Sequence, residues 1–268
     1  MAKKKKYTLD EVNALRIAYG DPLQKREIVS ALFIPFLIAA VFTFSLFYYW
    51  WLSVIAGGIA MFYAYAKILP QDTRRSYEIT AFRERNKFVN NITQMLTNEE
   101  RTVLDCLKVV TERAQGEFKD DLLMLQASIM EANNKEKQTA FQVISDKYKG
   151  DVIFDLFIEQ LATATIEGRF SIDTLKDIKS YHNEVKKRQD DFLQKKKKEA
   201  FHFKFIIGIG LVLIMAITFS FGWEQFIGVY ARSLIGWITS SLYLVLITGY
   251  FLSFRKHYID DDIMEVKV

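Results

Sequence analysis

Cysteine is almost missing from this 268-residue chain, in which Cys106 stands alone. One thiol cannot close an internal disulfide, and with no CxxC or Cys/His spacing there is no zinc site. Cys106 falls on an apolar helical face, where it reads as core packing. A chain built this way tolerates a reducing compartment, which fits the cytoplasm. Proline is nearly as scarce, with 3 residues, and glycine numbers 12, which excludes a loop-rich or all-β chain. No G-x-x-x-x-G-K-[ST] loop is present, so ATP is not expected to bind by that route. The three histidines bring no obvious chemistry either. His182, in Tyr181-His182-Asn183-Glu184, has no nucleotide-binding domain in the chain to phosphorylate it. His202 and His257 are isolated in sequence. The adjacent acids Asp120-Asp121 and Asp190-Asp191 point to different faces of a helix, against a paired acid–base site.

What the chain has is a sharp segregation of residue types. Half of its residues are hydrophobic, including 22 Phe, 13 Tyr and 4 Trp, and a quarter are charged. Residues 29–69 carry no charge before Lys67, and residues 203–254 are apolar again, with Glu224 and Arg232 in their middle. Between them lies a polar stretch. This is the layout of a membrane protein with an aqueous domain. The net charge of +4 could suggest nucleic acid, but its distribution does not. Lys3 to Lys6, Arg74 with Arg75, Lys195 to Lys198 and Arg255 with Lys256 all adjoin apolar blocks. That is the positive-inside pattern, with added attraction to anionic lipid and no nucleic-acid stripe.

A span takes about 20 residues, so each apolar block is long enough for two. The first divides at Phe47-Tyr48-Tyr49-Trp50-Trp51, aromatics of the kind that settle at headgroup level, into helices of about 29–46 and 50–68. Gly57-Gly58 and Ala60 would let that pair approach closely, and Pro70 marks the return to water. The second block gives spans of 203–221 and 234–254 around a short outer connection, 222–233. Four crossings put both termini, the middle and every lysine cluster on one side; three would not. Ahead of the spans, residues 1–28 form a cytoplasmic segment. Thr8 and Glu11 have capping-box spacing, and Val12, Leu15, Ile17 and Ala18 make a short amphipathic helix on the membrane face. Residues 255–268 form a cytoplasmic tail.

The middle, 70–202, has helical periodicity throughout. The pattern Phe82, Phe88, Ile92, Met95 predicts the first helix. Thr97 with Glu100 is a candidate capping box for the second, with Val103, Leu104, Leu107 and Val110. Phe118, Leu122, Leu125 and Ile129 stripe the third, which gives out at Asn133-Asn134. The fourth runs from about Glu136 to Tyr148. Asp151 caps the fifth, which ends at Gly168. The sixth starts at Ser171, carries Ile172, Leu175, Ile178, His182 and Val185 on one face, and continues without a breaker into the third span. The expected fold is all-α: a polytopic membrane protein with two transmembrane hairpins and a cytoplasmic six-helix bundle.

The junction Thr165-Ile166-Glu167-Gly168-Arg169-Phe170-Ser171 bears two readings. It is an ordinary helix end, with Gly168 as the left-handed residue and Ser171 as the next N-cap. It also resembles the most recognisable element of the F-protein family of type II secretion systems, a Glu-x-Gly-type turn before a Leu-containing helix, here Glu167-Gly168 through Leu175. The family includes the inner-membrane platform proteins of type IV and tight-adherence pili, and the N-terminal hairpin is similar to the tight-adherence branch. The resemblance covers about residues 88–254. The family's other glycine-containing turns read Thr97-Asn98-Glu99 and Asn133-Asn134-Lys135 here.

The resemblance implies a non-enzymatic scaffold of the inner membrane. It would couple a cytoplasmic secretion ATPase to the assembly of pilin-like subunits, acting as a homodimer or small oligomer without a cofactor. Glu167, Gly168 and Arg169 would be a partner-contact turn, and Lys195, Lys196, Lys197 and Lys198 a membrane-proximal basic cluster. Two other classes stand beside it. A transporter or channel subunit would need polar residues lining a path through the membrane, and the spans offer only hydroxyls such as Thr43, Ser45, Ser53, Thr218, Thr239 and Ser240. A sensor enzyme would turn over ATP.

Overall fold

The computed structural model describes residues 9–98, 100–168 and 171–260. All of its regular structure is helical. In chain order the helices begin with α1 Leu9–Ile17, α2 Lys25–Phe47, α3 Trp50–Tyr63, α4 Leu69–Leu96, α5 Val103–Arg113, α6 Gly116–Ile129, α7 Asn134–Tyr148, α8 Val152–Glu167 and α9 Ile172–Phe221. A single turn, α10 Trp223–Gln225, and α11 Leu234–Ile259 complete the order. The chain divides into two compact units. One holds Leu23–Thr73 and Gln194–Asp260 with the start of α1; the other holds Asn13–Pro22 and Arg74–Leu193. Both α4 and α9 begin in one unit and end in the other.

Four helices are long and apolar enough to cross a membrane: Lys25–Phe47, Trp50–Leu96, Ile172–Phe221 and Leu234–Ile259. Their apolar side chains are mostly turned outward, as with Phe33, Ile34 and Leu37 of α2 and Val212, Leu213 and Phe219 of α9. Such continuous apolar exposure needs a hydrocarbon solvent. The pattern is that of a multi-pass membrane protein.

Between α2 and α3 the chain reverses in two residues. Tyr48 takes the left-handed conformation at φ 54° and donates its N–H to the Phe44 carbonyl at 2.8 Å. A non-glycine residue rarely sits there. The Tyr48 ring offsets that cost by packing on Trp223 and Phe226, and its hydroxyl donates to Thr218 Oγ1 at 3.2 Å. Further along, a Cβ on Gly57 would lie 2.7 Å from the Phe36 ring, so α2 and α3 do approach closely at this glycine. Gly58 faces open space and takes no part.

Pro70 does not end a helix. It lies in the first turn of α4, directly after a π-helical turn at Ala64–Ile68. Proline lacks the N–H and crowds the carbonyl four residues back, and a wider π turn relieves both problems. The connection at 222–233 is likewise more helical than its sequence suggests: it holds α10 and a π-helical turn, Phe226–Ala231. Ser233 then caps α11, accepting the Gly236 N–H at 3.0 Å.

In the polar unit α4 to α9 share one core, and buried phenylalanines fill its centre. Phe88 meets Phe118 edge-on at 5.5 Å, and Phe118 meets Phe154 at 5.9 Å. Caps delimit the helices. The second starts at Thr102, whose side chain accepts from Asp105 N, rather than at the expected Thr97–Glu100 box; the Thr97 hydroxyl donates back to the Thr93 carbonyl. Asn133 and Glu136 form a full capping box at α7, and Asp151 caps α8 by accepting from Phe154 N. The expected Thr8–Glu11 box lies outside the described residues.

Residues 13–22 belong to the polar unit. Glu117 donates its backbone N–H to the Ala18 carbonyl at 2.8 Å, and Tyr19 packs its ring against Tyr77 at 5.3 Å. The segment expected on the membrane face therefore includes a strap bound to the start of α6.

Candidate functional site

At the α8–α9 turn Glu167 is the last residue of α8 and is exposed. Gly168 follows at φ 67° and donates its N–H to the Ala164 carbonyl at 3.1 Å. Space around it is open, so its conformation, not crowding, calls for glycine. Ser171 Oγ accepts from Thr174 N at 3.3 Å at the start of α9, and Leu175 is buried. This matches the local reading of a helix end followed by a helix start. Arg169 lies outside the described residues.

The four lysines of the basic cluster do not act together. Lys195, Lys197 and Lys198 are exposed on α9. Lys196 is buried, and its Nζ donates to the Tyr258 carbonyl at 3.2 Å and to the Asp260 carbonyl. It satisfies carbonyls that the end of α11 leaves without helical partners. Sequence spacing alone could not separate it from its neighbours.

A buried polar layer joins α4, α8 and α9. Asn86 Nδ2 donates to His182 Nδ1 at 2.8 Å, so the other ring nitrogen, Nε2, bears the proton and faces Asp151 Oδ2 at 3.4 Å. His182 is fully buried, and its ring stacks on Phe82 at 5.0 Å. Arg85 Nε donates to the same Asp151 oxygen at 3.0 Å, with its guanidinium over the Tyr148 ring. Beside this lies an amide ladder. Asn90 Nδ2 donates to Asn183 Oδ1 and Asn183 Nδ2 donates to Asn90 Oδ1, each at 2.8 Å. Asn86 Nδ2 also reaches Asn183 Oδ1 at 2.9 Å. Burial alone would raise the Asp151 carboxyl. The His182 and Arg85 side chains and the Phe154 N–H outweigh burial and hold it below the ordinary carboxylate range.

A second polar cluster lies under the strap. Lys147 Nζ bridges Glu117 and Asp121 at 2.6 Å each, and Tyr77 donates to Glu117 Oε2 at 2.6 Å. Burial, with Glu117 next, pushes the Tyr19 hydroxyl up to about 12. Burial also disfavours charge on Glu117, but Lys147 and Tyr77 hold its carboxyl low. Of the adjacent acids, Asp121 faces this cluster while Asp120 is exposed, and Asp190 meets Arg83 while Asp191 is exposed. The Cys106 thiol is buried in the core, and burial pushes it up, away from reactivity.

The apolar unit has a half-open cleft of about 850 Å³ whose walls include Leu46, Ile214, Phe226, Thr239, Ser240 and Tyr243. Two of its hydroxyls are engaged locally: Thr239 donates to the Ile235 carbonyl at 2.9 Å and Ser233 to the Tyr230 carbonyl at 2.8 Å. Ser45 and Ser53 do the same on α2 and α3.

No family model and no solved structure matches the chain. An uncharacterized protein of Bacillus anthracis, pXO2-23, is 44% identical over 266 residues, which is 99% of this chain and 96% of that protein. At that identity and coverage, the chain belongs to the same family as the Bacillus anthracis protein.

Proposed function

We propose that the chain is a non-enzymatic platform protein of the cytoplasmic membrane. It has two transmembrane hairpins, a cytoplasmic six-helix bundle between them and both termini in the cytoplasm. It couples a cytoplasmic secretion ATPase to the assembly of pilin-like subunits in a type II-like secretion or type IV/tight-adherence pilus machine. The ATP chemistry belongs to the partner, and the bundle works by contact, as a homodimer or small oligomer. The exposed lysines Lys195, Lys197 and Lys198 add attraction to anionic lipid.

The observation that carries this reading is the α8–α9 turn. An exposed Glu167 and a left-handed Gly168 are followed by one 50-residue helix that runs into an apolar span. That gives a partner a contact point at the head of an element long enough to carry displacement. Co-purification of a secretion ATPase from native membranes is the expected result. Absence of any association, together with normal filament assembly after Glu167→Lys and disruption of the turn, would sink the proposal.

The cleft in the apolar unit favours a second reading, a transporter or channel subunit. The engagement of its Thr239 and Ser233 hydroxyls with nearby backbone carbonyls weighs against a polar path. Solute or ion flux in liposomes holding the purified chain alone would revive it.

A further inference from the structure

The inward faces of α4 and α9 repeat every seven residues. On α4 the buried positions Phe82, Val89 and Leu96 are one such series, and Arg85 with Ile92 another. On α9 they are Leu175, His182 and Gln189, interleaved with Ile178 and Val185. Asn90 faces Asn183, Asn86 meets His182, and Arg83 meets Asp190, so the two helices run antiparallel. Apolar seams of this spacing fit one another almost equally well after a slip of one repeat, about 10 Å along the axis. Two of the three positions in the Leu175 series are polar. Gln189 is buried with its Nε2 atom lacking a hydrogen-bond partner among the described residues. Residues placed for stability alone would be apolar here.

We infer that the polar layer is a register lock between α4 and α9, with Asn90 and Asn183 as its key and His182 tying the pair to the cap of α8. In the observed register the Asn90 and Asn183 amides exchange two hydrogen bonds and Asn86 completes the ladder. A slip of one repeat would bring Lys176 or Asp190 to Asn90 in place of Asn183. It would also set Leu175 or Gln189 against Asn86 in place of His182. The first loses the reciprocal pair of amide hydrogen bonds, and the second breaks the bond to Asp151. Polar contacts among otherwise apolar helix faces, here the half-buried Asn90–Asn183 pair, specify alignment in this way at some cost in stability. The lock bears on α4 and α9 within the polar unit, where their side chains meet. It stands on geometry and does not depend on the platform reading.

The test uses the full chain in detergent micelles, with spin labels on Gln94→Cys and Ser180→Cys, both exposed; Cys106 is buried and spared. With the native lock, pulsed electron resonance should read one narrow distance. In Asn90→Leu/Asn183→Leu, which removes both partners together, the distribution should split or broaden while helicity persists and the melting midpoint moves by less than about 4 °C. Arg83→Ala, which breaks only an exposed ion pair, should keep the single distance. An unchanged narrow distance in the double leucine variant would overturn the inference. So would its unfolding, because the pair is assigned to register and not to stability.

Discussion

The carbonyl oxygen of Ala18 accepts the backbone N–H of Glu117 at 2.8 Å and lies 2.1 Å from where a Cβ on Gly116 would stand. Gly116 itself has φ 61°. Two requirements for glycine thus coincide at the point where the strap at 13–22 meets α6.

Gly116→Ala should therefore cost about 2 kcal/mol or more, the left-handed penalty plus displacement of the strap. Gly168→Ala, at φ 67° but in open space, should cost only the backbone part, about 1–2 kcal/mol. Thermal melting of the two variants compares the costs. Hydrogen exchange at residues 18–22 should rise in the first variant alone.

Asp151 makes stability depend on acid. Its carboxyl is held below the ordinary value of 3.8, so its contribution is complete above that value and is lost as pH falls through the range below about 4. Asp151→Asn should lose the contribution at every pH and leave Arg85, 8% exposed, without its counter-charge, at a cost of about 3 kcal/mol. Melting from pH 7 to pH 3 should show a shallower acid decline in the variant. Parallel declines would show that Asp151 is not the titrating group.

The lysine cluster should separate by substitution. Lys196→Ala removes charged hydrogen bonds to the Tyr258 and Asp260 carbonyls and should cost about 1.5–3 kcal/mol. Lys197→Ala, one position on and exposed, should stay within about 0.5 kcal/mol of the native chain. Binding to anionic vesicles should respond the other way, weakening for Lys197 and changing little for Lys196.

Helix α8 was legible from end to end because its signals are local: an aspartate cap at 151, an apolar stripe and a glycine at 168. The capping box at α7 was equally local, in the spacing of Asn133 and Glu136, yet the asparagine pair read as the end of the preceding helix. The continuation of helix through Pro70 was not legible, because a π turn is invisible in composition. The candidate turn at Glu167 and Gly168 could be found in sequence. The polar layer could be found only in part. His182 falls on the apolar stripe with Leu175 and Val185, but its partners Asn86 and Asp151 lie 96 and 31 residues away. Nothing in a single chain pairs residues so distant. The seven-residue step from Leu175 through His182 to Gln189 was the one available hint that a polar residue there was inside.

As a platform protein, the chain must present its polar middle to the cytoplasm, where an ATPase would reach it. Single cysteines at Ser180 and Gln225, both exposed, report this directly when a membrane-impermeant maleimide is applied to intact cells. The account predicts that Gln225→Cys is labelled in intact cells and Ser180→Cys only after the membrane is opened. Labelling of Ser180→Cys in intact cells, with Gln225→Cys protected, would contradict it.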